Sequence, residues 1–319
     1  MAFKHASSPL AKGYLIALVG TAIWSSTAVF IRYLTVNYQM PPLVLAFWRD
    51  TIVAVVLGLA ILTFRRRLLA PPPRQLAFLA LFGLTMALFN SIWTVSVAFN
   101  GAAVSTVLAY SSAAFTALLG WKFGGETLDW PKILSVSASL AGCAFVSGAH
   151  DPAVWQANPA GIIIGLLSGL AFAVYSLMGR RAADRGIHPL TTLFYTFAMA
   201  ALCLFSFNLF SSPALAAFPD QLLWLGSSWD AWAVLFVLSI GPTIGGYGLY
   251  TASLVYLPAS NANLVATLEP AMTAVLAYLF LSERFTVSQL GGSLLILSGI
   301  LFLRWYEVNQ RSATSSAPT

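Results

Sequence analysis

A carboxylate within an apolar run is the strongest chemical signal in this chain. Glu269 lies in LVATLEPAMTAVL, among small, apolar and hydroxyl-bearing neighbours. An ionised carboxylate in such a run must face protein or water, because hydrocarbon does not solvate it. Pro270 follows, and its missing amide hydrogen frees a backbone carbonyl near the same depth. At helical spacing Ala262, Ala266, Glu269 and Thr273 share one face. Two chemical roles fit Glu269: binding a ligand's ammonium group, or carrying a proton. A structural role fits as well, in which a protonated Glu269 ties a proline-disrupted helix to its neighbour.

A second set is aromatic and polar, with Trp24, Asn90, Trp93 and Tyr110 in the first half and Tyr175, Tyr247 and Tyr250 in the second. Flat, amphipathic rings hold a cation or an amino-acid side chain by stacking and cation–π contact. The same residue types also form belts at a membrane surface. Trp93 and Tyr250 stand near the ends of apolar runs, so a belt is the first reading for them and a place in the same cavity set the other. Trp24, Asn90 and Tyr247 lie deeper and are read as cavity residues, the Asn needing a hydrogen-bond partner there. Arg49 and Asp50 are adjacent, and helical neighbours do not face one another, so each is expected to have a different partner. Arg49 is read first as half of a structural ion pair, with attraction of a ligand carboxylate as the other reading.

These residues need elements to hold them, and composition says which. The chain has 319 residues, 59% hydrophobic and 8% charged, with a mean hydropathy of +0.81. Soluble domains carry roughly a quarter charged residues, so this is a polytopic membrane protein. Ten spans are marked, over 13–35, 43–64, 75–99, 102–121, 132–149, 160–180, 188–211, 231–256, 259–281 and 286–304. Many are rich in Gly, Ala and Ser, which suits close helix packing in lipid. The runs are too long, and lack the alternation, for barrel strands. GPTIGGYG, from Gly241 to Gly248, is a segment that can bend or unwind beside a cavity, or pack closely.

With the N-terminus inside, all of the 16 Lys and Arg except Arg32, Arg49 and Arg284 fall on the inner side. That bias places both termini in the cytoplasm. Residues 1–12 and 305–319 are then cytoplasmic ends, the latter a polar tail disordered from Ser312. The outer loop 212–230 carries LLWLG, expected to lie along the interface. The net charge of +6 sits in short loops and offers no stripe for nucleic acid. Cys143 and Cys203 lie inside apolar runs and give no disulfide framework. His5, His150 and His188 are scattered, so neither a metal nor another cofactor is expected.

The two halves, 13–149 and 160–304, repeat. The segment from Gly101 aligns with that from Pro258 at a constant offset, pairing Glu126 with Glu283, Thr116 with Thr273 and Gly142 with Gly299. The stripe Ser105, Ala109, Ser112 and Thr116 thereby matches the Glu269 stripe, two small polar faces that suit one cavity. Five spans is an odd number, so the repeats face opposite ways across the membrane. Substrate sites of such proteins lie near mid-membrane, where the repeats meet.

AIWSS around Trp24, Arg49, GGETL around Glu126 and LEPAMTAVLAYLFLSERF, in that order, resemble the EamA-type branch of the drug/metabolite transporter superfamily. The resemblance covers nearly the whole chain, and within the superfamily it is greatest to bacterial exporters of amino acids, aromatic ones included. It implies an all-α carrier of ten helices with a central cavity, embedded in the bacterial inner membrane. Its partners would be a small-molecule substrate and the bilayer. No oligomeric state is implied, and a monomer suffices. Nucleotide-sugar, sugar-phosphate or lipid carriage is the alternative within the fold, although a phosphorylated substrate would call for more basic residues than Arg49. Glu126 and Glu283 are read as fixing helix ends and loops. No GxxxxGK[ST] loop is present for an ATPase. An intramembrane protease would need a Ser/His or Asp pair at mid-depth, and none is apparent; a receptor would leave the paired stripes without a purpose.

Overall fold

Proline opens several of the helices. Pro42, Pro73 and Pro189 each stand at a first helical position, where the missing amide hydrogen costs nothing and the fixed φ suits the helix. The computed structural model describes residues 9–146, 148, 150–152, 159–210, 222–272, 275 and 286–315, and no strand occurs among them. The first half comprises α1 (Pro9–Trp24), α2 (Thr27–Asn37), α3 (Pro42–Phe64), α4 (Pro73–Tyr110), α5 (Ser112–Gly124) and α6 (Trp130–Val146). The second comprises α7 (Pro159–Asp184), α8 (Pro189–Phe210), α9 (Trp229–Leu238), a wide-turned π segment (Ser239–Tyr247), α10 (Gly248–Ser253), α11 (Ala259–Ala266) and α12 (Val287–Ser315).

Six stretches are long and apolar enough to cross a bilayer: Pro42–Phe64, Pro73–Trp93, Ala160–Asp184, Pro189–Leu209, Trp229–Ser253 and Leu290–Asn309. Pro9–Trp24 and Trp130–Val146 are shorter apolar helices. Leu59, Leu81, Leu202 and Leu294 are among the large apolar side chains left exposed, as a lipid-facing surface requires. The chain is a multi-pass integral membrane protein.

The expected third and fourth spans share the continuous helix α4, but the chain reverses within it. A Cβ placed on Gly165 of α7 would lie 2.9 Å from Ser96 Oγ and 2.7 Å from Leu108 Cβ. A straight helix would hold Ser96 and Leu108 roughly 18 Å apart. The first leg runs antiparallel to α7, with the Phe82 ring 4.9 Å from Tyr175 and Phe89 5.0 Å from Phe172. The return leg and α5 run parallel to α7, for a Cβ on Gly169 would meet Ser111 Oγ and one on Gly124 would meet Leu177.

Helices at equivalent places in the two halves pack antiparallel. Between α3 and α8, Asn208 Nδ2 donates to Leu43 O at 3.1 Å, Phe47 meets Phe205, and Gly58 meets Phe194. Between α6 and α12, Trp130 meets Tyr306 at one end and Ser288 Oγ donates to Phe145 O at the other, at 2.8 Å. The N-terminus of α1 and the C-terminal part of α12 lie at the same end, where the Tyr14 hydroxyl donates to Glu307 at 3.0 Å.

Helix α12 continues to Ser315, so the tail expected to be disordered from Ser312 is helical for four residues further. Docking of Glu307 on Tyr14 and Asn261 helps to hold this part of the helix in place. Within LLWLG, Leu225 turns inward beside Leu34, Val44 and Leu235, while Leu223 and Trp224 stay exposed, the latter with its Nε1 donating to Tyr38 O at 2.8 Å. Residues 211–221, Thr273, Glu283 and Arg284 lie outside the described residues.

Glycine sets the α6–α12 contact. A Cβ on Gly142 would come 2.6 Å from Gly292 O, a backbone atom that cannot step aside. Gly142→Val is therefore expected to destabilise the protein by about 2 kcal/mol through overpacking. A lowered midpoint of thermal unfolding in detergent is the check; an unchanged midpoint would mean that the helices can separate freely.

Candidate functional site

The centre is built by close backbone approach. A Cβ on Gly246 would lie 2.9 Å from Trp24 Cβ, and one on Gly20 would lie 3.3 Å from Gly246 O. Only glycines let α1 cross the π segment at this distance. Pro242 sits inside that segment and leaves it a donor short; the turn widens, and Thr243 Oγ1 donates five residues back to Leu238 O at 2.9 Å. The bend anticipated from GPTIGGYG is thus a π segment, and it carries Tyr247 under Trp24.

Trp24 ends α1, where Ser25 Oγ and Ser26 Oγ donate to Ala22 O and Ile23 O and the helix breaks. Its ring lies 4.3 Å from Tyr247, 5.8 Å from Phe172 and 5.9 Å from Tyr250. Tyr175 joins from α7, 5.7 Å from Phe172 and nearly parallel to it. Four of the sequence-predicted residues, Trp24, Tyr175, Tyr247 and Tyr250, therefore form one buried aromatic layer spanning both halves. Phe172 completes it and was not anticipated. Tyr250 is not a belt residue: it is 1% exposed, because the π segment turns α10 inward behind Trp24. Trp93 is half-buried against the edge of the same core.

Below this layer two broken helices meet. The chain between α4 and α5 breaks at Ser111, and the chain after α11 breaks at Thr267 and Leu268 before helix resumes at Glu269. The repeat offset pairs these positions. Across the breaks the Tyr110 hydroxyl donates to Glu269. Ser112 Oγ donates to Asn263 Oδ1 at 3.0 Å, and Asn263 Nδ2 donates to Thr116 Oγ1 at 3.1 Å and Ser176 Oγ at 3.2 Å. Ser176 and Tyr250 share a hydrogen bond of 2.7 Å. Asn263 thus ties the halves together. The signal for it was a side-chain amide in an apolar run, six residues before the more conspicuous Glu269.

Asn90 has its partner, donating from Nδ2 to Asp50 Oδ2 at 3.0 Å. Asp50 Oδ1 takes Arg49 Nε at 3.2 Å. The expectation that Arg49 and Asp50 pair elsewhere is overturned. Their Cβ atoms diverge, but the long Arg side chain folds back to its neighbour.

Towards the end that holds the termini, further bonds join the halves. Gly125 closes α5 in the left-handed region, at φ +68°, so Glu126 N–H reaches Gly120 O at 3.0 Å, the arrangement in which a helix ends on glycine. The Glu126 carboxylate then accepts from Ala259 N–H at 2.9 Å and from Ser260 Oγ, with Lys132 Nζ at 3.5 Å. Arg180 Nη1 donates to Leu254 O and Leu257 O at 3.0 and 3.1 Å. Asn261 Nδ2 donates to Tyr14 Oη at 3.1 Å and to Glu307. No cluster of three His, Cys, Asp or Glu side chains suited to a metal occurs among the described residues.

A membrane-embedded, two-half helical protein with a polar and aromatic centre is the architecture of a carrier. The EamA-like transporter family matches this chain twice, over residues 11–148 and 159–305. The chain belongs to that family, in keeping with the drug/metabolite transporter superfamily, and is a membrane transporter. It is 25% identical over 238 residues to an uncharacterized transporter of Synechocystis, covering 73% of this chain and 68% of the relative. It is 23% identical to the uncharacterized transporter YyaM of Bacillus subtilis, over 90% of this chain and 92% of that one. The uncharacterized inner membrane transporter YicL of Salmonella typhimurium is likewise 23% identical, over 92% and 95%. A solved crystal structure superposes with a TM-score of 0.72 at 20% identity, covering 92% of this chain and 96% of the other; at that identity the likeness speaks to the fold.

Proposed function

We propose that the protein is a secondary transporter that exports small organic metabolites, foremost amino acids and aromatic amino acids among them, by alternating access. In this reading ten helices form two five-helix repeats of inverted topology, 13–149 and 160–304, in a bacterial inner membrane with both termini in the cytoplasm. The substrate meets Trp24, Tyr110, Ser112, Tyr175, Tyr247, Tyr250 and Glu269, with Asn90 and Trp93 behind them.

The observation that carries the reading is the contact of Trp24 with Tyr247 between the halves, with Glu269 held by Tyr110 across the paired helix breaks. Its support is chemical. Rings packed at the centre suit a planar side chain, and a carboxylate between the halves suits an ammonium group. Antiparallel pairing of α3 with α8, and of α6 with α12, accords with inverted repeats. The bonds made by Glu126, Asn261 and Asn263 accord with a state closed towards the termini. Opening there while the opposite end closes would move a bound molecule across.

Counterflow in proteoliposomes tests this directly. Vesicles loaded with unlabelled phenylalanine are expected to accumulate a trace of external labelled phenylalanine well above protein-free vesicles. No accumulation with any neutral amino acid, in protein shown to be folded, would exclude amino acids as the substrate class.

A further inference from the structure

Between Asp50 and Glu126 the sequence holds no acidic residue, yet Arg65, Arg66, Arg67 and Arg74 fall within that stretch. All four are exposed, and they lie where one span ends at Phe64 and the next begins at Pro73. The connection between those spans is fixed rather than loose. Arg66–Leu69 form a single 3₁₀ turn, and Thr191 Oγ1 and Tyr195 Oη of α8 donate to Leu68 O and Leu69 O at 2.9 and 2.8 Å. Arg66 Nε donates back to Leu62 O at 2.9 Å, closing the end of α3. Pro71, Pro72 and Pro73 then lead into α4.

Docking of this turn on α8 brings the α7–α8 connection to the same place. Exposed Arg185 stands 4.2 Å over the Phe78 ring of α4, and Phe78 is one helical turn from Arg74 on the same face. The acid beside Arg185 is engaged elsewhere, since Asp184 pairs with Arg180 at 3.1 Å. No ion pair among the described residues involves Arg65, Arg66, Arg67, Arg74 or Arg185. Arg180 also bonds Leu254 O and Leu257 O, so the cluster belongs to the end that holds the termini. Leu59, Leu62 and Phe64 of α3 run up to it along the lipid-facing surface, Phe64 being 80% exposed.

Charge complementarity decides the occupant. A guanidinium offers parallel N–H groups to two phosphate oxygens, and basic clusters at the end of a span attract anionic headgroups. We propose that this cluster binds the headgroup of an anionic phospholipid from the leaflet on the side of the termini. The phosphate lies on the arginines and the acyl chains lie along Leu59, Leu62 and Phe64. A turn pinned by α8 and three prolines presents the guanidinium groups at a smaller ordering cost than a free loop would. Loop charges that serve only to set orientation do not call for such pinning.

The test uses the purified full chain in neutral detergent with equimolar phosphatidylglycerol and phosphatidylcholine, the retained lipids being counted by native mass spectrometry. Each arginine at the membrane surface strengthens association with an anionic lipid about fivefold. Phosphatidylglycerol is therefore expected to be retained more than about tenfold over phosphatidylcholine. The double variant Arg65→Gln, Arg67→Gln, which spares Arg66 and its bond to α3, should lower that preference by about 10- to 25-fold. Lys122→Gln removes an exposed charge at the same end and should leave it unchanged; a loss of about fivefold there would reduce the effect to net charge and overturn the site. Glycerol 3-phosphate, a headgroup without chains, should not displace the retained lipid at equal concentration. Displacement would mark a site for soluble anions instead, and equal retention of the two lipids by the wild type would overturn the proposal outright. The unfolding midpoint without lipid checks the fold of each variant. Should the double variant unfold early, the wild-type lipid comparison decides, since it needs no substitution.

Discussion

Glu269→Gln is expected to lower amino-acid counterflow affinity by about 10- to 100-fold while leaving the protein folded. The glutamine is nearly isosteric, and its carbonyl still accepts the Tyr110 hydroxyl that now reaches the carboxylate. What it removes is charge and a titratable proton. A hydrogen bond to a charged partner contributes about 1.5–3 kcal/mol, the range from which that loss of affinity follows. Phenylalanine and phenethylamine should weaken alike, since both carry the ammonium. If Glu269 also carries the coupling proton, the variant loses the pH dependence of flux that the wild type shows. Counterflow equal to wild type at every pH would take Glu269 out of both binding and coupling and leave it as a bond between two broken helices.

Why was Glu269 legible and Asn263 not? A carboxylate in an apolar run announces itself, because nothing in hydrocarbon compensates a charge. A single amide costs less and is common at helix contacts, so it carries little signal until its partners Ser112, Thr116 and Ser176 are seen around it. The apolar runs were legible for the same reason as Glu269: membrane thickness imposes their length. What the runs could not convey is interruption inside them. The breaks at Ser25, Ser111 and Thr267 depend on hydroxyls returning to backbone carbonyls, as in Ser111 Oγ to Leu108 O and Thr267 Oγ1 to Leu264 O, bonds that most helical serines and threonines can make without breaking the helix. The belt reading of Tyr250 came from counting residues to the end of a span, a count that assumes regular turns. The π segment before it widens those turns and moves the ring from the interface to the core. Arg49 and Asp50 were separated by a rule about Cβ directions, which says nothing about how far an arginine reaches.

Glu126→Ala is expected to be the most destabilising single change at the end that holds the termini, costing about 3–5 kcal/mol and lowering the unfolding midpoint by several degrees. The carboxylate serves three partners at once: Ala259 N–H, Ser260 Oγ and the Lys132 ammonium. Lys132 and Glu126 side chains are 6% and 10% exposed, so truncation leaves an ammonium and an amide without a partner where little water reaches them. Most of the cost comes from that stranded charge, which predicts an order of stabilities. Glu126→Gln should fall between the wild type and Glu126→Ala, because its one carbonyl oxygen can still accept from Ala259 N–H while its amide donates to the Ser260 hydroxyl. Adding Lys132→Met to Glu126→Gln should recover stability, since it removes the unpaired ammonium and keeps the packing of the stem. A purely steric role for Glu126 predicts no such recovery. The position of the latch gives the same variants a second consequence. Glu126 belongs to the first half and Ala259 to the second, so losing the bond removes free energy from the state in which the halves are closed there and from no state in which they have parted. The equilibrium must then shift towards opening at that end. An alanine variant as stable as the wild type would refute both consequences together.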